Sequence, residues 1–356
     1  MAMLALPLVF VDLSSDRISV KENRMLAERP KLADIKNHPG RFIRGFDAWF
    51  NDSTGFREPF VGLYRAMNNN RWLNSQYMYT DGSYTYLFGE YGHQYFAHVD
   101  GFLIQKYQGK QFLSDDQLQG MASKLEEVKT YLDNKGIPLV VMFCTDKESI
   151  YPEFYPKSIK RGPEPIQLDV ITSYLQENTS VDIFNIKQTL LAEKKNYLLY
   201  YIIDTMSFTD DFAHYNQIGA FFAYRELMKH INIHFPQIIP YELNDIEINY
   251  DEKERPHVSF KADSTYELID DSPLIYENAD SEQLVILFLH DSYSAEGYIG
   301  KFFAQQFGKA IFVHYANIAN FEEYITKYEP DIVVFESAER ELRGFANCVI
   351  GIPELQ

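Results

Sequence analysis

The chain contains only two cysteines among its 356 residues, and basic residues are scarce. Cys144 and Cys348 lie far apart and match no metal-ligand spacing, so they indicate neither a zinc site nor a disulfide framework. Whether they pair with each other stays open. With 33 Lys and Arg against 51 Asp and Glu, the net charge is −18 at pH 7. Because there is no basic excess to release counterions from phosphates, nucleic acid is not an expected partner.

The sequence also lacks a complete membrane-targeting segment. Met1–Val11 is apolar, but it is interrupted by Pro7, is too short to span a bilayer and carries no basic residues. It is compatible with the trailing end of a signal peptide or anchor, and equally with a strand. We therefore expect residues 1–20 to be such a remnant and residues 21–110 to form a helical N-terminal arm with the first strand region. Residues 111–356 are expected to form a catalytic core, in one structural domain with 21–110.

Aromatic and aliphatic residues are abundant. The chain is 46% apolar, with 26 Tyr and 27 Phe, which is enough for a substantial core and also suits stacking on sugar rings. Within the expected arm, Phe42, Phe46, Trp49 and Phe50 recur at helical spacing. This composition leaves two alternatives open, a bulky aromatic core or a carbohydrate-binding surface.

The centre of the chain is the stretch Leu284–Gly297. Its first part is a short, continuous apolar run, which is typical of a strand buried on both faces of a parallel sheet. One helix is expected to begin at Ser114–Asp116 and another to run from Tyr298 to Phe307. Helices alternate with similar apolar runs elsewhere, so we predict an α/β fold. The strands predicted for its mainly parallel sheet are Pro138–Phe143, Val181–Phe184, Leu284–Leu289, Ala310–His314 and Asp331–Phe335, and Tyr197–Ile203 is a further predicted element.

Ser292 follows the central strand directly and is a candidate nucleophile. It would lie on a strand-to-helix turn at the carboxyl edge of the sheet, where open α/β sheets place their ligands. A serine needs a base to remove its proton and N–H groups to receive the oxyanion. The glycine-flanked serine of α/β-hydrolases is absent. A helix-capping role is the alternative for Ser292.

His214 is the candidate base. It precedes a helix predicted to begin after Asn216 and follows Asp211 by three residues, a spacing that lets the carboxylate fix the imidazole tautomer. A packing role is the alternative. Lys147 and Tyr151 follow the predicted strand Pro138–Phe143 and would lie at the same sheet edge, unless their segment is a solvated charged loop.

Six fragments give the chain a more specific resemblance. In order they are ENRMLAERP, FNDSTGFR, TDKESIYPEFYP, DDFAHYNQIGAF, FLHDSYS and YEPDIVVFESAEREL. Together they resemble the SGNH-hydrolase-like polysaccharide O-acetyltransferases of the alginate acetylation group, the AlgJ and AlgX type, with a domain plan nearer AlgJ. The resemblance implies a flavodoxin-like three-layer fold and a triad of Ser292, His214 and Asp211, in which the Asp/His block precedes the serine. Asp210 is the alternative acid, and His290 stands where the family usually has Gly.

The resemblance also implies a function. It indicates transfer of an acetyl group, through an acetyl-serine, to hydroxyls of an extracytoplasmic polysaccharide, with a membrane-bound O-acyltransferase as donor partner and no metal or cofactor. The protein would be periplasmic or on the cell surface, tethered by an N-terminal anchor, and would act as an acetylesterase when water is the acceptor. A polysaccharide deacetylase and a non-catalytic glycan-binding or assembly protein are the alternatives. The candidates for substrate or oxyanion contact are Lys147, Tyr151, Tyr293, Tyr298 and Arg340.

Overall fold

The structure is a computed structural model, and a defined part of the chain is described. The described residues are 18–19, 24–25, 29–31, 42–43, 45–46, 49–50, 78–81, 84–97, 102–110, 113–202, 213–250, 256–261, 266–295 and 299–355. The chain divides into two compact units, a smaller one of Met1–Tyr77 with Asp204–Asp210 and a larger one of Met78–Ile203 with Asp211–Gln356. The expected plan of an arm (21–110) and a core (111–356) in one structural domain stays a prediction.

The smaller unit contains a short helical segment rich in aromatic residues. Phe42, Phe46, Trp49 and Phe50 are all helical, as their spacing predicts. The rings of Phe42 and Phe46 stack at 6.1 Å, and the guanidinium of Arg29 lies 5.6 Å from the Trp49 ring. Phe60, Leu63 and Met67, whose spacing predicts a second helix in the arm, lie outside the described residues.

The described helices and strands are numbered here in chain order. The strands are β1 (Ile18–Ser19), β2 (Arg24–Met25), β3 (Met78–Asp81), β4 (Tyr84–Phe88), β5 (Gln94–Phe96), β6 (Leu139–Cys144), β7 (Asp182–Asn185), β8 (Ile246–Tyr250), β9 (Pro256–Phe260), β10 (Glu267–Asp271), β11 (Leu274–Glu277), β12 (Glu282–His290), β13 (Phe307–His314) and β14 (Ile332–Ala338). The α-helices are α1 (Phe102–Tyr107), α2 (Asp115–Asp133), α3 (Lys147–Ile150), α4 (Gln167–Asn178), α5 (Lys187–Glu193), α6 (Gln217–His234), α7 (Ser292–Ala295), α8 (Gly300–Gln306), α9 (Phe321–Tyr328) and α10 (Leu342–Ile350). None of the helices in the described part of the chain has the length and apolar character needed to cross a membrane.

Seven strands of the larger unit form one sheet in the order β10-β11-β13-β12-β14-β6-β7. All neighbours from β13 to β7 are parallel, whereas β10 and β11 add an antiparallel edge. In register, Phe288 of β12 pairs with Phe312 of β13 and with Val334 of β14, and Val334 pairs with Val140 of β6. The predicted α/β fold with a mainly parallel sheet is confirmed.

The sheet is covered by helices on both faces. Along β6, Val140 and Met142 pack in a cluster with residues of α6 and α8, whereas Val141 and Phe143 pack in a second cluster with residues of α2, α4 and α10. Successive strand residues point to opposite faces of the sheet. Every residue of β6 is buried, so both faces of this strand are covered. This two-sided burial explains why the central strands are continuous apolar runs rather than alternating sequences.

The carboxyl ends of three neighbouring strands position the site. β12, β14 and β6 are adjacent and parallel, so the residues that follow them emerge at one edge of the sheet. Ser292 follows β12, Arg340 follows β14 and Asp146 follows β6. Three segments that are distant in sequence therefore meet at this edge.

Two of the predicted helices begin as expected. Ser114 caps α2, where its hydroxyl accepts from the backbone N–H of Gln117 in a reciprocal capping box. Asn216 caps α6, where its side-chain oxygen accepts from the N–H groups of Ile218 and Gly219. The cap at Asn216 fixes the direction in which the chain enters α6, two residues after His214.

Two predicted elements differ from the structure. Residues 197–202 form no strand, and Tyr200 makes only an isolated bridge with Tyr215. The backbone groups of Leu199 bond elsewhere, because its N–H donates to the Tyr151 hydroxyl and its carbonyl accepts from Asn216 N–H. The helix predicted to end at Phe307 stops at Gln306, and Phe307 begins β13 because its backbone pairs with β12.

Substitution of the two cap residues distinguishes an effect on global stability from an effect on the position of His214. Ser114→Ala should lower the free energy of unfolding by about 1 kcal/mol and Asn216→Ala by about 2 kcal/mol, since Asn216 is buried and also donates to the Leu198 carbonyl. Urea unfolding checks both values. In an acetyl-ester assay only Asn216→Ala should lose turnover, because only the helix that Asn216 caps directly follows His214. Equal turnover in the two variants would contradict this link.

Candidate active site

His214 and Ser292 form a hydrogen-bonded pair at the sheet edge. The Nε2 atom of His214 lies 2.7 Å from the Oγ atom of Ser292, which confirms the predicted approach of the two side chains. The His214 side chain is buried and Ser292 is half-buried. For Nε2 to accept the serine proton, the neutral ring must carry its hydrogen on Nδ1. A serine and a histidine in this arrangement can act as nucleophile and general base.

The loop before α6 holds His214 rigidly. Tyr215 makes the bridge with Tyr200, and the N–H of Asn216 donates to the Leu199 carbonyl at 2.8 Å. At Gly219 the helix approaches this strand-like segment so closely that a Cβ atom would lie 2.5 Å from the Leu199 carbonyl oxygen. The absence of a side chain at position 219 therefore allows the packing that places His214.

The turn that carries Ser292 is fixed by Asp291 and Glu336. The carboxylate of Asp291 accepts from the N–H of Tyr293 at 2.9 Å and from the N–H of Ala338, the last residue of β14. The N–H of Asp291 in turn donates to Glu336 at 3.2 Å. Burial, together with the nearby Asp291 charge, raises the pKa of Glu336 well above its usual value. His290, where the family usually has Gly, is buried and contacts the Asp291 carbonyl through Nδ1. These contacts join β12 to β14 beneath the nucleophile.

Arg340 contacts the candidate base directly. Its Nη2 atom lies 2.9 Å from His214 Nε2, the same nitrogen that contacts Ser292. Its Nη1 atom lies 3.0 Å from Asp146 Oδ1 and donates to the Ala213 carbonyl at 3.1 Å. Burial alone would lower the pKa of Arg340, but Tyr293 and Asp146 outweigh it and raise the pKa above its usual value. Arg340 is therefore a cation beside the candidate base.

Asp146 lies at the centre of a buried ionic network. Its carboxylate contacts Lys106 Nζ at 2.6 Å as well as Arg340, and Lys106 also contacts Glu148 and Glu339 at 3.1 Å each. Burial would raise the pKa of Asp146, but the Lys106 and Arg340 charges hold it below its usual value. Burial raises the pKa of Glu148 to about 7 and also raises that of Glu339, despite Lys106. Of these three carboxylates, Asp146 is thus the one whose ionised form the surrounding charges favour.

Lys147 and Tyr151 are buried rather than solvated, so the solvated-loop alternative is wrong. The Nζ atom of Lys147 donates to the Tyr201 carbonyl at 2.6 Å. The Tyr151 hydroxyl accepts from the N–H of Leu199 at 3.1 Å. Because each polar group contacts the backbone of the segment 199–201, these contacts favour a structural role over contact with a substrate.

Tyr293 supports the site from beneath. Its ring meets that of His214 edge to face at 4.7 Å, and its hydroxyl lies 3.1 Å from the Ala213 carbonyl and 3.3 Å from Asp146 Oδ1. The predicted acid Asp211, its alternative Asp210 and Tyr298 lie outside the described residues. Within the described part of the chain, no group of acidic, histidine or cysteine side chains could hold a metal ion.

A family model matches this part of the chain. Residues 102–250 match the SGNH hydrolase-like domain of acetyltransferase AlgX. The match confirms the resemblance and the SGNH-type acetyltransferase assignment inferred from the sequence. It includes Lys106, Asp146 and His214 and ends before Ser292 and Arg340, which the tertiary structure adds to the SGNH-like site.

Solved structures of other proteins are similar to the structure of this chain. Bacillus cereus PatB1 with a sulfonyl adduct has a TM-score of 0.54 at 12% identity, over 75% of this chain and 97% of that one. A DHHW family protein from Eubacterium siraeum has a TM-score of 0.50 at 13% identity, over 77% and 97% of the two chains. The O-acetyltransferase domain of Pseudomonas putida AlgJ has a TM-score of 0.47 at 12% identity, over 74% and 98%. A search of curated proteins found no match to the chain.

Sequence reasoning missed most of the ionic network of the SGNH-like site. Lys106 and Glu339 were not singled out, and Asp146 appeared only within the fragment TDKESIYPEFYP. Arg340 was a candidate for substrate or oxyanion contact, but its contact with His214 was not foreseen. One signal was available, because Asp146 and Arg340 lie a few residues after predicted strands, as Ser292 does. Lys106 gave no such signal, since it lies on α1 outside the sheet.

The raised pKa of Glu148 predicts how stability depends on pH. Between pH 4.5 and about 7 the folded chain holds a proton that the unfolded chain has lost, so Glu148 lowers stability as pH rises through this range. Glu148→Gln copies the protonated form. Its free energy of unfolding relative to wild type should therefore increase from about pH 5 to about pH 8, as measured by urea unfolding. Exposed Glu177→Gln controls for the loss of one charge, and equal differences at both pH values would contradict the assignment.

Proposed function

We propose that this protein is a serine O-acetyltransferase that modifies an extracytoplasmic polysaccharide through an acetyl-Ser292 intermediate. The observation that carries the proposal is the 2.7 Å contact between His214 Nε2 and Ser292 Oγ at the carboxyl edge of the sheet. The match to an acetyltransferase family model supports transfer as the reaction class. Asp211, or else Asp210, is proposed to orient His214, as in the family triad.

The chemistry has two half-reactions. His214 Nε2 takes the proton of Ser292 while Oγ attacks the acetyl carbonyl, and the imidazolium then protonates the leaving group. In the second half, His214 takes the proton of an acceptor hydroxyl, whose oxygen attacks the acetyl-serine and releases Ser292 with its proton restored. A sugar hydroxyl as acceptor gives transfer, and water gives hydrolysis. The same two side chains serve both outcomes, so the acceptor that reaches the site decides between them.

The donor and the location follow from the same proposal. An acetyl group made inside the cell must cross a membrane before it reaches an extracytoplasmic acceptor, and a membrane-bound O-acyltransferase is the proposed donor partner. The protein would then act in the periplasm or at the cell surface. Co-purification with such a partner after membrane solubilisation, and cell fractionation, test these two points directly.

Covalent labelling tests the nucleophile. An aryl sulfonyl fluoride should modify the wild-type chain once, and intact-mass spectrometry with peptide mapping should place the adduct on Ser292. Ser292→Ala should not label above background. Ser294→Ala is the matched control, because its hydroxyl lies two residues away on α7 and donates to Glu336 at 3.1 Å. Wild-type chain that does not label would support the non-catalytic alternative instead.

Turnover of a small activated acetyl ester tests the pair as a unit. Ser292→Ala and His214→Ala should each lower kcat/KM by about 10³-fold or more, because either change removes the proton-transfer step. The double variant should be little worse than either single variant. Additive losses would show that the two side chains act independently, which the hydrogen bond between them argues against.

The charge of the chain bears on the acceptor. At −18 the protein repels a polyanion at long range, so a neutral or cationic polysaccharide is the proposed acceptor class. With an activated acetyl ester as donor, mass spectrometry should show acetyl transfer to neutral oligosaccharides in preference to uronic acid oligomers of equal length. Added salt should reduce this preference, because it screens the repulsion. Faster transfer to the uronic acid oligomers at low salt would overturn the assignment of acceptor class.

A further inference from the structure

Two donors compete for one lone pair on the base. His214 Nε2 lies 2.7 Å from Ser292 Oγ and 2.9 Å from Arg340 Nη2. A neutral imidazole nitrogen accepts one hydrogen bond in the ring plane, whereas a guanidinium can only donate. In the resting site, Arg340 and Ser292 therefore share the atom that must take the serine proton.

Proton transfer removes the partner of Arg340 Nη2. Once Nε2 holds the serine proton, it has no lone pair, and the imidazolium and the guanidinium are two adjacent cations. Their repulsion acts in a buried site, where it is stronger than in water. At the same moment a negative charge develops on the acetyl oxygen beside Ser292. The guanidinium nitrogen that loses Nε2 thus gains a nearby anion.

From this geometry we propose that Arg340 is a further catalytic residue, whose Nη2 moves from His214 Nε2 to the oxyanion as the serine proton is transferred. The inference rests on the proposed function and deepens it. It gives the oxyanion a charged donor in addition to backbone N–H groups. In a buried site, a charged hydrogen-bond donor stabilises an oxyanion more than a neutral donor does.

The network of Asp146 anchors one side of the guanidinium and leaves the other able to change partner. Nη1 holds the contacts with Asp146, the Ala213 carbonyl and the Tyr293 hydroxyl, whereas Nη2 holds the contact with His214. The guanidinium carbon lies 4.9 Å from the Tyr293 ring centroid and 5.8 Å from that of Phe96. A small rotation about the Nη1 anchor can redirect Nη2 while these contacts persist.

The step balances without any further reactant. The Ser292 Oγ–H bond breaks and its proton joins His214 Nε2, while an Oγ–C bond forms at the acetyl carbonyl and the π electrons move to the carbonyl oxygen. Arg340 Nη2 donates to that oxygen. When the carbonyl re-forms, the bond to the leaving oxygen breaks, that oxygen takes the proton from Nε2, and Nη2 can return to the imidazole nitrogen.

Substitution at position 340 tests the proposal on the full chain. Arg340→Gln should lower kcat for an activated acetyl ester about 100-fold and leave KM little changed, since the contact is made in the transition state. Arg340→Lys should recover part of the loss, because the lysine ammonium restores the positive charge but lacks the planar pair of nitrogen donors of the guanidinium. Arg343→Gln is the matched control, since this exposed arginine lies three residues further on, with its guanidinium 4.9 Å from the Phe102 ring centroid.

A second substrate separates a catalytic role from a structural one. In the matching thionoester the developing charge falls on sulfur, which is a weak hydrogen-bond acceptor. The wild-type protein should prefer the ester, and Arg340→Gln should reduce that preference at least ~10-fold, because the missing donor no longer distinguishes oxygen from sulfur. A variant that has only lost structure would lower both rates alike and keep the preference.

The outcomes distinguish this inference from the proposed function. If the wild-type chain neither labels at Ser292 nor turns over the ester, the proposed function itself fails. If the wild-type chain is active and Arg340→Gln retains kcat and the ester preference, the role of Arg340 alone is overturned. Thermal unfolding of each variant shows whether it is folded at the assay temperature. Loss of kcat and of the preference in a folded variant supports the oxyanion role.

Discussion

The site depends on the ion pairs of one buried carboxylate. Asp146 holds Lys106 on one oxygen and Arg340 on the other, and Arg340 reaches His214. Removing these charges from water is costly, and a buried ion pair of this kind often contributes little to net stability. Its contribution is better understood as orientation, because the pairs define where a cation stands beside the base. Loss of Asp146 would leave two buried cations without this partner.

The parallel sheet makes this arrangement available. β12, β14 and β6 are neighbours, so the residues after each strand meet at one edge although they come from distant parts of the chain. Asp291 and Glu336 add contacts between β12 and β14 beneath the nucleophile. The burial of both sheet faces keeps these strands in register. An edge of this kind holds the candidate nucleophile and a cation within hydrogen-bonding distance of the candidate base.

The central strands and the Ser292–His214 pair were predictable, because their signals are local. A continuous apolar run predicts a buried strand, and a polar residue after it predicts the sheet edge. Lys147 and Tyr151 share that edge, yet they are buried against backbone groups of residues 199–201. The direction of a side chain after a strand depends on the loop that covers it. That loop comes from another part of the chain, so the sequence near Lys147 contains no sign of it.

The sequence by itself determined five strands of the sheet, the caps at Ser114 and Asn216, the family resemblance and the candidate nucleophile and base. Each of these follows from apolar periodicity, from capping chemistry or from a motif a few residues long. The tertiary structure alone decided the order of strands in the sheet and the placement of Lys106, Asp146 and Arg340 around His214. These charged residues lie up to about 230 positions apart. They become partners only after the sheet excludes water and makes an unpaired buried charge too costly to retain.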